Sequence, residues 1–313
     1  MNPAASIPDL DRLTRFLIDR AGVRGVRVHL HDTWRHIRER ASDVAQQAPA
    51  AVELLGQASA AAALFTGHAK VGGRLSVQLR SDSALRTLFA ECTAAGTLRG
   101  IVQLRTAETG EPHASTAVSC DLRTLGEDAI LAITIENPSV HGSDPTRYQG
   151  LVALESDSLS GAFEDYFRQS EQLPTRLLLA ADGTRAAGLM LQKLPGDDGD
   201  DDGWTRACAL FDTLGAAELL DWPSETLLHR LFHEDGVQVL GHRPLDFACS
   251  CSRERVESML AALGGEEALA AVADDEAKVR CEFCGQDYLF SLRQVEELLA
   301  LRAAESAAPE RIQ

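Results

Sequence analysis

Seven cysteines occur in this 313-residue chain, and four of them crowd into its last quarter. Cys249 and Cys251 sit one residue apart in DFACSCSRERV, and Cys281 and Cys284 sit two apart in CEFCG. In an extended segment, residues two apart project to the same face, so both sulfurs of the first pair can reach one ion. Gly285 behind the second pair permits the positive φ that turns backbone N–H groups toward thiolate sulfurs. Two local thiolate pairs make the tetrahedral sulfur set that suits zinc. The spacing therefore predicts one zinc ion per chain, held by Cys249, Cys251, Cys281 and Cys284.

Such a site can serve two purposes. Closed four-cysteine sites are usually structural clips, and the tail that carries this one has little core of its own. Thiolates are also nucleophiles that oxidants convert to disulfides, expelling the metal. Metal binding contributes about 10–16 kcal/mol in small zinc modules, so expulsion would unfold the tail. Residue chemistry alone favours the structural clip over the redox reading.

Other chemistries fit less well. A thiol-disulfide oxidoreductase would place its CxxC at a helix N-terminus after a strand, whereas CEFCG reads as a turn between extended runs. The net charge of -17 argues against nucleic-acid or anionic-membrane partners, as does the tail, with 7 Lys and Arg against 13 Asp and Glu from residue 249 onward. His229 and His233 in HRLFH have metal-pair spacing but lack a protease glutamate, and read as solvated or core-edge side chains. No nucleophile elbow, phosphate loop or Ser/His/Asp set is visible, so an enzyme is not expected. No run approaches the roughly 18 apolar residues of a membrane span. The first residues lack the basic and apolar pattern of a secretory signal, so the expected location is cytoplasmic. Cys92 and Cys120 read as buried or incidental thiols, and Cys208 as one that oxidises only if its segment opens.

The elements that must position these groups read as an α+β protein in three parts. Residues 1–195 form a mixed domain with an antiparallel-type sheet. DLDRLTRFLIDRAG has helical spacing ending at Gly22, and HDTWRHIRERASDVAQQ and AAVELLGQASAAAALFTGHA read as helices, the latter buried on most sides. GRLSVQLRSD, LRGIVQLRT, AILAITIEN, QGLVALES, TRLLLAA and AAGLMLQKL read as strands, with one helix, SLSGAFEDYFRQSEQL, among them; SALRTLFAECTAAG fits strand or helix, and its hairpin-like AAG favours strand. The acidic run GDDGDDDG reads as a solvated loop at a boundary. Residues 196–246 form a helical linker (WTRACALFDTLGAAELL and SETLLHRLFHED) too short to bury its apolar stripes unaided. Two strands, VQVLG and PLDFA, lead from it to the cysteines. Residues 247–313 form the small zinc module: helices SRERVESMLAAL and EEALAAVADD, the CEFCG turn, and a last helix with Ser291 and Gln294 at capping-box spacing.

The arrangement CSCSRERVE … CEFCGQDYLF resembles the redox switch of the heat-shock protein 33 family of bacterial chaperones. The resemblance extends through RYQGLVALESDSLSGAFEDYFRQSEQLPTRL, AAGLMLQKLPG and LLHRLFHEDGVQV, with a few extra loop residues in ENPSVHGSDPTRYQG. It implies an ATP-independent holdase, inactive when reduced and zinc-bound. Oxidants combined with unfolding stress would form the disulfides Cys249–Cys251 and Cys281–Cys284, release the zinc and unfold the tail. The linker would then loosen and expose apolar surface to unfolding client proteins, with homodimers accompanying activation. Trp204, Phe211, Leu214, Leu227, Leu231 and Phe232 are the candidate client surface. A disulfide across CSC should be strained in a folded strand, so CEFCG is expected to oxidise first.

Overall fold

Antiparallel hairpins build most of the first half of the chain, because short alternating runs are separated by turns too brief for crossovers. A computed structural model describes residues 10–69, 71–105, 118–139, 144–196, 200, 202–270, 272–273 and 275–307. The chain divides into two units, Met1–Ala248 and Cys249–Gln313. Residues 197–199 and 201 of GDDGDDDG and residues 140–143 of ENPSVHGSDPTRYQG lie outside the described residues.

In the first unit the order is β1 (Arg12–Ile18), β2 (Val23–Leu30), α1 (Asp32–Arg40), α2 (Ser42–Gln47), α3 (Pro49–His68), β3 (Arg74–Arg80), β4 (Leu85–Thr93), β5 (Thr97–Leu104), β6 (Ile130–Asn137), β7 (Thr146–Val152), α4 (Leu159–Tyr166), β8 (Thr175–Ala181) and β9 (Ala186–Lys193). Then come α5 (Gly203–Phe211), α6 (Ala216–Asp221), α7 (Ser224–Phe232), β10 (Val237–Pro244) and β11 (Asp246–Phe247). One sheet has the order β10-β1-β2-β9-β8, and a second has β11-β5-β4-β3-β6-β7. Among the described residues all pairings in these two sheets are antiparallel except the two-residue β11–β5 contact.

Helix α3 lies between the two sheets, against β2, β8 and β9 on one side and β3, β4 and β5 on the other. Pro49 at its first turn suits a position where no N–H partner is needed. It is long and apolar enough to cross a membrane, but 78% of that stretch is buried inside the protein, as for a core helix. Its approach is close: a Cβ on Gly188 of β9 would fall 2.6 Å from Leu64 Cδ1.

The expected helix over DLDRLTRFLIDRAG is instead the strand β1, paired on both edges by β10 and β2. Its Leu13 packs into the α3 core while Phe16 and Ile18 pack on the opposite face. A strand buried on both faces loses its polar alternation and acquires helix-like spacing. Phe16 lies across its partner Gly25, where a Cβ would meet the ring at 2.1 Å. The segment WTRACALFDTLGAAELL also differs from a single helix. It breaks at Gly215, whose N–H donates to Glu218 Oε2 at 3.0 Å and restarts the chain as α6.

Helices α5, α6 and α7 cover the outer face of the first sheet. Ala207, Phe211, Leu219, Leu227 and Phe232 pack there on Phe16, Ile18, Val23, Leu189 and Leu191. Polar contacts run through this layer. Arg27, fully buried on β2, donates to the carbonyls of Leu219 (3.1 Å) and Trp222 at the end of α6. His29 Nε2 lies 3.0 Å from the carbonyl of Leu220, and Arg185 reaches the same oxygen at 3.1 Å. Cationic donors at a helix C-terminus satisfy carbonyls that have no partner within the helix. Arg206 of α5 bridges Asp235, at 2.5 Å, and Asp200, at 2.9 Å.

The second unit contains α8 (Arg253–Leu263), α9 (Gly265–Ala270), β12 (Val272–Ala273), β13 (Glu276–Arg280), β14 (Asp287–Ser291) and α10 (Leu292–Ala307). The expected helix EEALAAVADD stops at Ala270, and Val272 pairs with Ala277 as the edge of a three-stranded sheet. Helix α10 carries the expected capping box. Ser291 N–H donates to Gln294 Oε1 at 3.0 Å, and Gln294 N–H donates to Ser291 Oγ at 3.3 Å.

Candidate metal centre

The two cysteine pairs are delivered by two different local devices in the second unit. CSC lies in a stretch without regular secondary structure that ends where Ser252 caps α8, its Oγ accepting from Arg255 N–H at 3.3 Å. Arg255 also donates to the carbonyl (2.7 Å) and Oγ (2.9 Å) of Ser250, which fixes the residue between the two sulfurs. CEFCG is the turn between β13 and β14. Cys281 N–H donates to the Gln286 carbonyl at 2.9 Å, and Gly285 N–H donates to the Cys281 carbonyl at 2.8 Å. Gly285 adopts φ of 71°, the left-handed conformation that its lack of a Cβ makes available.

These devices bring the four sulfurs within 4.8 Å of one another. The short contacts run between the pairs, Cys249 to Cys281 at 3.6 Å and Cys251 to Cys284 at 3.4 Å. Burial and the neighbouring sulfurs push Cys249 and Cys284 above the usual thiol range. Cys251 moves the other way. Burial raises it, but hydrogen bonds from Tyr288 and the other thiols together pull it down. Four sulfurs this close cannot all be thiolates unless a cation joins them. The donor set therefore fits a soft, four-coordinate metal ion.

Tyr288 was not singled out by sequence reasoning. Its hydroxyl donates to Cys251 Sγ at 3.1 Å, reaching from β14 to the other half of the cluster. It stands inside the quoted stretch CEFCGQDYLF, but no spacing rule shows that a phenol four residues after Cys284 turns back to a sulfur of CSC. Arg255 was missed for the same reason.

The remaining cysteines stand apart. Cys92 is buried in the first unit's core, and Cys120 and Cys208 are half-buried; burial pushes each thiol up to about 11. His229 and His233 are exposed and stack on each other. A second acidic cluster, Asp11, His31 and Asp32, has a different task. Asp11 accepts from the N–H groups of His31, Asp32 and Thr33 at 2.8 to 3.0 Å and so caps the start of α1. Of the six candidate client-surface residues, all in the first unit, Phe211, Leu214, Leu227, Leu231 and Phe232 are buried and Trp204 is half-buried.

Comparison with known proteins bears on this arrangement. The family model described as "Hsp33 protein" matches residues 11–291. A "33 kDa chaperonin" of Ectopseudomonas mendocina is 40% identical over 302 residues, covering 94% of this chain and 96% of that protein. One from Nitrosococcus oceani is 39% identical, covering 92% and 94%. The crystal structure of a 33 kDa chaperonin, a heat shock protein 33 homologue from Thermotoga maritima, superposes with a TM-score of 0.71 at 20% identity, covering 94% of this chain and 99% of that one. That likeness is one of fold, and the sequence matches carry the family assignment: the chain belongs to the Hsp33 family.

Proposed function

We propose that the protein is an ATP-independent chaperone whose holding activity is switched on by oxidation of a zinc-bound Cys249, Cys251, Cys281 and Cys284 cluster. The observation that carries this reading is the convergence of the four sulfurs within 4.8 Å. A tetrahedral zinc with sulfur bonds of ~2.3 Å has sulfur–sulfur edges of ~3.8 Å, close to the two cross-pair contacts. When bound, zinc supplies the positive charge that keeps the four sulfurs deprotonated and together.

Oxidation removes that arrangement. With a peroxide as oxidant, two thiolates give up two electrons and form one sulfur–sulfur bond, and the oxygen–oxygen bond breaks to yield two waters after protonation. The resemblance to the family implies the pairs Cys249–Cys251 and Cys281–Cys284. Each sulfur must then turn from its short cross-pair neighbour, so disulfide formation and loss of the resting geometry belong together. Without its metal the second unit retains, among the described residues, a small core of six buried apolar residues, including Leu260, Phe290 and Val295, with a few half-buried ones packed on it. A core of that size does not hold a domain of this length folded.

The linker helices are the next element to yield. Their interface contains Arg27 and His29, so separating it returns a guanidinium and an imidazole to water along with the apolar side chains. An interface with such residues opens at lower cost than a wholly apolar one. Trp204, Phe211, Leu214, Leu227, Leu231 and Phe232 would then face unfolding client proteins. We place the activated form as a homodimer in the cytoplasm, with neither nucleic acid nor membrane as partner.

One experiment separates this from a constitutive binding protein with a purely structural metal. The reduced, zinc-loaded chain is treated with hydrogen peroxide at elevated temperature, and zinc release, disulfide map and suppression of client aggregation are followed together. The switch predicts that all three rise in step. Retained zinc, or zinc loss with no gain in anti-aggregation activity, defeats it.

A further inference from the structure

The Tyr288 hydroxyl is a side-chain donor aimed at one of the four sulfurs. Tyr288 pairs with Val279 across the β13–β14 hairpin, and its ring packs against the small core of the second unit. The hairpin that carries CEFCG thus extends one arm to CSC, and the contact depends on both halves being in register.

We propose that Tyr288 is a positioning residue that shields the Cys251 sulfur from electrophiles and so directs oxidation to begin at CEFCG. This inference rests on the redox reading given above. A thiolate attacks a peroxide through a sulfur lone pair. The sulfur–oxygen bond forms as the oxygen–oxygen bond breaks, leaving a sulfenic acid and hydroxide. A second thiolate then attacks that sulfur and displaces its oxygen, which leaves as water after protonation. Where a bound metal holds all four sulfurs as thiolates, a phenol at 3.1 Å would occupy Cys251 lone-pair density and spread its charge, so the first of these steps is slowed at Cys251. The bond is lost once the hairpin frays. Cys251 therefore becomes reactive only when CEFCG has already oxidised and the unit has loosened, which gives the switch its order.

The test uses the full-length, zinc-loaded protein and the variant Tyr288→Phe, which keeps the ring in the core and removes only the hydroxyl. Iodoacetamide alkylation, read residue by residue by mass spectrometry, measures sulfur nucleophilicity with no redox step. Cys251 is expected to be slow in the natural chain and several-fold faster relative to Cys281 in the variant, with zinc affinity weakened about tenfold as for other outer contacts to metal ligands. With limiting peroxide, the natural chain should first show the Cys281–Cys284 bond, and the variant should lose that preference. Replacing the three tyrosines by 3-fluorotyrosine strengthens the donor without disturbing packing and should slow Cys251 further, so a variant that fails to fold does not leave the question open. Unchanged alkylation at Cys251 in both altered proteins overturns the proposal. If alkylation shifts as expected but peroxide forms no disulfide in any of the proteins, the shield stands and the redox reading above fails instead.

Discussion

The two faces of the first sheet are built from the same strands, yet they are covered in different ways. On the inner face Val26, Val28, Leu30 and Met190 meet α3 within a core that also contains the second sheet. On the outer face Val23, Leu189 and Leu191 alternate with Arg27 and His29 and meet three short helices of nine, six and nine residues. The inner face is sealed by one 20-residue helix that reaches both sheets. The outer cover is held by short helices that are marginal alone and by hydrogen bonds to three helix-end carbonyls. One face is therefore suited to permanence and the other to release.

This contrast can be broken at several points. Removing the metal from the reduced protein with a strong chelator should have the largest effect. It withdraws about 10–16 kcal/mol from the second unit, so circular dichroism should show loss of α8 and α10 helicity while the two-sheet body keeps its thermal transition. Phe232→Ala on the outer face should cost about 3–5 kcal/mol. Its signature should be raised anti-aggregation activity in the reduced protein with the body's main transition retained. Leu64→Ala on the inner face should cost about 2–5 kcal/mol, seen as a lower midpoint in urea for the whole first unit and no gain of activity. Arg27→Ala leaves the Leu219 and Trp222 carbonyls without that donor, and should weaken α6 docking by about 1–3 kcal/mol, measured as faster amide exchange confined to α6 and its neighbours. Cys208→Ser should be the mildest change. Peroxide-driven zinc release from it should match the natural chain, since its thiol is held well above neutrality at about 11.

The contrast also explains what could be read from the sequence. The strands of the second sheet were legible because one face is wet: β3 alternates Leu75, Val77 and Leu79, all buried, with half-buried Arg74, Ser76 and Gln78. Strand β1 was not, because burial on both faces gave it the spacing of a helix. The convergence of the four cysteines was legible, since two thiol pairs with short internal spacing suit a single shared ion. The capping box of α10 was legible as a local motif. Arg27 reads in the sequence as an ordinary charge in VRGVRVHL, because only the tertiary arrangement sets α6 carbonyls above it. Tyr288 was hidden for the same reason, its partner lying 37 residues earlier in the chain.

Hydrogen exchange read by mass spectrometry on the oxidised, zinc-free, active protein tests the central claim most directly. The account predicts that α5, α6 and α7 lose protection by orders of magnitude relative to the reduced protein, while α3 and the strands on either side of it stay protected. If the oxidised protein suppresses aggregation with α5–α7 as protected as in the reduced form, the outer face is not the surface that oxidation releases.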